Sequence, residues 1–268
     1  MERERYLLPV RGGIFEAEVY EYGDRDAEPL LWLHPSNGLM RHEYLDDLGA
    51  RFRVIAPSHP GWGASTGLEQ IDDPVDMAIY YYDFLDALGI SSCHVAGHSI
   101  GGMFAAEIAA LDPHRVRRLV LNNPVGLWRD DAPVLDFFAE DPVAVANAVF
   151  FDLQGAAVKA LTPDMSDPQK MMQAMYERMQ SFAAAGKFLW PIPDRGLAKR
   201  IHRISAPTLI IWGKADGLVP ASYAQDFARR ISGTSQVLIL DRSAHFPMHE
   251  QREEWSNAVL QFLAAGET

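Results

Sequence analysis

Ala96-Gly97-His98-Ser99-Ile100-Gly101-Gly102 is the stretch that decides the fold. A short apolar run, His94 to Ala96, leads into it. A segment of helical period, Ile100 to Leu111, leaves it and stops before Asp112-Pro113. A serine between a strand and a helix in this pattern sits on a strained turn with its hydroxyl above the sheet, and the flanking glycines let the two backbones approach closely. Ser99 is therefore the candidate nucleophile, against the plainer reading of a glycine-rich turn in a non-catalytic α/β domain.

The same alternation extends outward from this turn. Leu30 to Leu33, Phe52 to Ala56, Arg118 to Leu121, Thr208 to Trp212 and Gln236 to Leu240 are short, mostly apolar runs, as expected of strands covered on both faces. Phe15 to Tyr20 alternates and ends at Gly23, as a half-exposed antiparallel strand would. Helical segments lie between, Asp76 to Leu88 and Ala221 to Ile231 among them, so the fold class is α/β with a mostly parallel, doubly wound sheet. The alternation stops between Pro124 and Ser205, where Asp141-Pro142 and Asp167-Pro168 each announce a helix, the second ending at Gly186. The expected organisation is a core of residues 1–124 and 206–268 with a helical cap over residues 125–205.

A serine hydroxyl needs a base to take its proton and an acid to hold that base. His245 follows the last strand at the sheet edge where Ser99 stands, and Asp216 follows Thr208 to Trp212 at the same edge. His249 and Asp241 are the rivals: the first falls in the opening of a helix, and the second is too close to His245 along the chain to grip its ring. The position after Arg118 to Leu121, another place for the acid, holds Asn122 and Asn123, neither a carboxylate. Acyl transfer also needs backbone N–H donors. Ile100, after the nucleophile, supplies one; Ser36, with Asn37 next, supplies the other from the loop His34 to Gly38, because Pro35 has no N–H.

Together, His34-Pro35-Ser36-Asn37-Gly38, Ser58-His59-Pro60-Gly61-Trp62-Gly63-Ala64-Ser65, Gly97 to Gly102, Trp212 to Asp216 and Ala244-His245-Phe246-Pro247 resemble the α/β-hydrolase superfamily, in the serine hydrolase branch with a single helical cap. The resemblance implies an α/β-hydrolase fold with the cap inserted after strand 6, a two-step mechanism through an acyl-enzyme, and no metal or organic cofactor. Pro35 stands where the family usually has glycine, which leaves the identity of the second donor open. Ser99 stands where haloalkane dehalogenases and epoxide hydrolases of the superfamily use aspartate, which disfavours those activities. Carboxylic ester hydrolysis is the first reading. A C–C bond hydrolase of ring-fission dienoates is the second, although members of that group commonly carry asparagine before the nucleophile and tryptophan after the histidine, where this chain has His98 and Phe246. A ligand receptor on the same fold, with little turnover, is the third.

Five of the ten methionines fall between Met165 and Met179, and Met171, Met175 and Met179 share one helix face. That face either packs against the sheet domain or lines an adaptable apolar pocket. Trp128, Phe137, Trp190 and Phe246 are further candidates for a substrate pocket. Arg195, where the chain leaves the cap, reads as a salt-bridged hinge residue or a clamp for a substrate carboxylate.

The chain of 268 residues carries a formal charge of −12 and one cysteine, Cys93. A concentrated positive surface is missing, so neither nucleic acid nor an anionic membrane is an expected partner, and the lone cysteine permits no disulfide framework. With no signal-peptide start and no long apolar run, the expected location is the cytoplasm, the expected partner is a small-molecule ester or ketone substrate, and a homodimer is an allowed assembly.

Overall fold

The computed structural model describes residues 4–39, 43–162, 167–192 and 194–265. Met1 to Arg3 and Met165 lie outside them. Eight strands form one sheet: β1 (Glu4–Val10), β2 (Phe15–Tyr22), β3 (Pro29–Leu33), β4 (Arg53–Pro57), β5 (Cys93–His98), β6 (Val116–Asn122), β7 (Thr208–Gly213) and β8 (Ser235–Leu240), in the order β1-β2-β4-β3-β5-β6-β7-β8. β1 pairs with β2, and β2 with β4, antiparallel; every other pairing is parallel.

Two strand expectations change. β2 is almost wholly buried, because pairing between β1 and β4 leaves it no free edge. β8 is only partly buried, with Leu240 as its one buried residue, because it closes the sheet at an edge.

Helices α1 (Glu43–Gly49) and α9 (Arg252–Ala264) cover one face; α2 (Pro74–Ala87) and α3 (Ile100–Leu111) cover the other. The indole rings of Trp32, Trp62, Trp212 and Trp255 are fully buried in the core. Cys93 is buried too, and desolvation pushes its thiol up to about 12.

The chain reverses direction across the sheet between β3 and β5, and in an open α/β sheet that switch point is where a crevice opens beyond the strands' C-terminal ends. Register brings those ends into line: His98 lies opposite Asn122, Asn122 opposite Ile211, and Gly213 opposite Leu240. The loops after β3, β5, β6, β7 and β8 therefore rise from one edge.

Between β6 and β7 the chain forms α4 (Pro142–Val149), α5 (Ala156–Leu161) and α6 (Pro168–Leu189), and no strand among the described residues. The Asp-Pro device works as expected. Asp141 accepts from the N–H groups of Val143 and Ala144, and Asp167 from those of Gln169 and Lys170. α6 does not stop at Gly186. It runs to Leu189, because Phe188 is fully buried between Trp62 and Phe104, and that packing outweighs the cost of a glycine in the helix. Among the described residues no helix is long and apolar enough to cross a membrane.

Candidate active site

Ser99 sits at the junction of β5 and α3 with φ 56° and ψ −116°, in a region that non-glycine residues rarely occupy. The neighbouring glycines make this turn feasible. A methyl at Gly97 would overlap the Gly101 carbonyl, and one at Gly101 would overlap the carbonyl oxygens of Leu33 and His34. The N-terminus of α3 is therefore pressed against the loop that leaves β3. Ile100 opens the helix, so its N–H has no carbonyl to bond within the helix.

Asp216 and His245 meet as expected: His245 Nδ1 donates to Asp216 Oδ2 at 2.8 Å, and both side chains are buried. The carboxylate has three further donors. The N–H groups of Leu218 and Val219 reach Oδ1, each at 2.9 Å, and Asn123 Nδ2 reaches Oδ2 at 2.6 Å. A carboxylate with this many donors is held in one rotamer. Donation from Nδ1 leaves Nε2 as the unprotonated nitrogen of neutral His245.

Asn123 also donates to the Ala244 carbonyl at 3.2 Å, and so ties the loop of Asp216 to the loop of His245. Sequence reasoning noted this residue only as an absent carboxylate. Its signal was its position, one step beyond β6. The adjacent Asn122 instead serves the core, accepting from Trp255 Nε1.

Other supports were not visible in the sequence. The last carbonyls of α4 bridge both loops, Ala148 accepting from the Gly217 N–H and Val149 from the His245 N–H. Glu250 accepts from the Ala244 N–H, the Ser243 hydroxyl and the Phe151 N–H. His98 Nε2 lies 2.7 Å from the His245 carbonyl. The rivals stand elsewhere. Asp241 is exposed and paired with Lys214, while His249, in α8 (Pro247–Glu250), packs against Tyr44 and Phe246.

Beneath the loop His34 to Gly38 is a buried imidazole pair. His34 Nδ1 donates to Pro35 O, its Nε2 accepts from the His59 N–H, and His59 Nε2 donates to His34 O. Tyr81 OH closes the chain on His59 Nδ1. The pattern fixes His34 as a neutral ring with its proton on Nδ1 and places a proton on His59 Nε2. Burial agrees, pushing His34 down to about 4 and His59 well below its ordinary value. Trp62 Nε1 donates to the Ser36 carbonyl and Gly38 N–H to Pro35 O, which fixes the segment carrying Ser36 and Asn37.

The remaining expectations divide. Phe246 flanks His245 and stacks on Phe150 at 5.3 Å; Phe137 is buried against Phe138, in a segment whose Leu135 N–H donates to Leu218 O, two residues beyond Asp216. Trp128 is half-buried and donates to Asp130, and Met171 is half-buried. Met175 and Trp190 are 58% and 52% exposed, and Met179 is 71% exposed. The methionine face of α6 thus does not pack against the sheet domain, because the first half of that helix projects beyond it. Among the described residues Arg195 forms no ion pair: it donates to the carbonyls of Trp190 and Lys187 at the end of α6. The buried ion pair between α6 and β7 is Arg200 with Glu107 of α3, bidentate at 2.7 Å for both bonds.

A family model described as alpha/beta hydrolase fold matches residues 33–251. Over 260 residues the chain is 28% identical to the dihydrolipoyllysine-residue acetyltransferase component of an acetoin cleaving system from Pseudomonas putida, covering 91% of this chain and 65% of that protein, so it spans about two thirds of that relative's length. It is 26% identical to a 2-hydroxy-6-oxononadienedioate/2-hydroxy-6-oxononatrienedioate hydrolase from Burkholderia vietnamiensis, over 80% of this chain and 77% of that one. Among solved structures, carboxylesterase CesB from Bacillus subtilis superimposes with a TM-score of 0.72 at 22% identity, over 99% of this chain and 93% of that one, a likeness of fold.

Proposed function

Because the chain belongs to the alpha/beta hydrolase fold family, we propose that it hydrolyses a carboxylic ester of a small to medium apolar substrate through an acyl-enzyme on Ser99. The observation that carries this reading is the Asp216 to His245 hydrogen bond at the sheet edge from which the strained Ser99 turn rises. Ser99 Oγ attacks the ester carbonyl while His245 Nε2 takes its proton. The oxygen that becomes negative is held by the N–H of Ile100 and that of Ser36, with Asn37 as the alternative. His245 then protonates the departing alcohol. Water, deprotonated by the same nitrogen, attacks the acyl-Ser99 carbonyl, and the acid leaves as Ser99 recovers its proton. Every step uses side chains, backbone amides and water.

Residues 125–205 act in this reading as a cap over the core of residues 1–124 and 206–268, with Phe137 of the cap and Phe246 of the core as apolar contacts to substrate and Trp128 and Met171 as outer wall. The cytoplasm is the proposed location.

The relatives named as oxononadienedioate hydrolases favour a second reading, C–C cleavage of ring-fission dienoates by the same three side chains. A screen of p-nitrophenyl esters and ring-fission dienoates against wild type and Ser99→Ala separates the two. Ester turnover that vanishes in Ser99→Ala supports the first; dienoate decay with esters ignored supports the second; binding with less than one turnover supports a receptor and overturns both.

A further inference from the structure

α6 is apolar on the side facing away from the protein. Ser181, Ala184, Ala185 and Phe188 form its buried side. Met172, Met175, Tyr176, Met179, Ala183, Gly186 and Trp190 fall within an arc of ~100° on the opposite side, at 100° per residue. Met172 is 72%, Met175 58%, Tyr176 64%, Met179 71% and Trp190 52% exposed. No residue of this stripe is charged, and Lys170, Glu177 and Arg178 stand off it. At one end the stripe is a ridge of large side chains. At the other it sinks into an apolar groove of about 350 Å³ lined by Phe138, Ala139, Phe182, Ala183, Gly186 and Trp190. A soluble helix that places its apolar side outward leaves an area that association would bury.

We infer that this face is the contact between two copies of the chain, paired through antiparallel α6 helices about a two-fold axis at the level of residue 181. A two-fold contact must be self-complementary, each position meeting its mirror position on the other copy. Its centre satisfies this with large residues opposite small ones, Tyr176 meeting Gly186 and Met179 meeting Ala183, so the ridge of each copy enters the groove of the other; farther out Met172 meets Trp190, and Met175 meets Lys187, whose ammonium donates to the Leu68 carbonyl. Gly186 is open enough to receive a ring, since a methyl built there touches only Phe138, at 4.0 Å. Taking ~200 Å² for a large bare side chain, the five exposed residues offer on the order of 600 Å² per copy. The groove walls bring this toward the ~800 Å² per partner of a stable interface.

The test is sedimentation velocity of the full chain at concentrations up to about 100 µM. A wild-type dimer is expected. Met172→Glu and Gly186→Phe, each folded by circular dichroism, should raise the dissociation constant at least about 30-fold. Adding Tyr176→Ala to Gly186→Phe vacates the volume that the new ring fills and should restore the dimer. A monomeric wild type, a dimer indifferent to both substitutions, a double variant that stays monomeric, or a monomer that instead binds phosphatidylcholine vesicles through these residues would overturn the inference.

Discussion

Acid should destabilise the fold through His34 and His59. Both rings are fully buried and their centroids are 3.7 Å apart. Burial pushes His34 from its ordinary 6.5 down to about 4; His59 goes well below, through burial first and then the neighbouring ring. In the unfolded chain each titrates near 6.5. Between pH 6.5 and about 4 the unfolded state therefore binds a proton that the native state refuses, and stability falls as the pH falls through that window. At pH 5.5 an unfolded histidine is ~90% protonated and native His34 scarcely at all, which gives a slope of ~1.2 kcal/mol per pH unit. From pH 7 to pH 4.5, His34 alone removes ~2–3 kcal/mol. The assay is urea unfolding followed by tryptophan fluorescence at several values between pH 5.5 and 6.5, above the range of unfolded carboxylates. His34→Gln should be less stable at pH 7, yet its stability should decline with acid less steeply than wild type, by ~1 kcal/mol per unit across that window. Parallel slopes would refute a neutral, buried His34 and, with it, the hydrogen-bond pattern that fixes the loop carrying Ser36 and Asn37.

Asn123→Ala removes a donor from the Asp216 carboxylate, a bond worth ~1.5–3 kcal/mol, so kcat should fall ~10–100-fold in steady-state ester kinetics with KM little changed. Arg200→Met strands the Glu107 carboxylate, which has no solvent exposure, and should cost ~3–5 kcal/mol in urea titration; adding Glu107→Leu should recover most of that loss. Gly101→Ala forces a methyl into the carbonyls of Leu33 and His34, so α3 must move off β3; ester turnover should be lost even in the fraction that purifies folded.

The sheet was legible because buried parallel strands announce themselves as apolar runs. β1 was not, since Glu4–Val10 mixes charged residues with apolar ones at an outer edge. The short helix α1 has too few turns to show a period. The Asp-Pro device marked α4 and α6, and it also stands at Asp73-Pro74, where it starts α2 two residues before the expected Asp76. Ser99, Asp216 and His245 could be placed from the sequence because each follows a strand end and the strand ends align. Asn123, Glu250 and the last carbonyls of α4 could not be, since their partners lie 93 or more residues away for Asn123 and are backbone groups in much of the rest. That Arg200, and not the expected Arg195, carries the ion pair depends on Glu107, whose burial on α3 no local pattern reveals. Methionine spacing gave the shared face of α6 but not its direction, because an apolar stripe reads the same whether it meets a core or a partner.

The most direct measurement on the proposed chemistry is labelling with a fluorophosphonate, located by peptide mass spectrometry. One equivalent on Ser99, with labelling slowed in His245→Ala and absent in Ser99→Ala along with ester turnover, is the expected result. Labelling at another residue, or full turnover by Ser99→Ala, would contradict it.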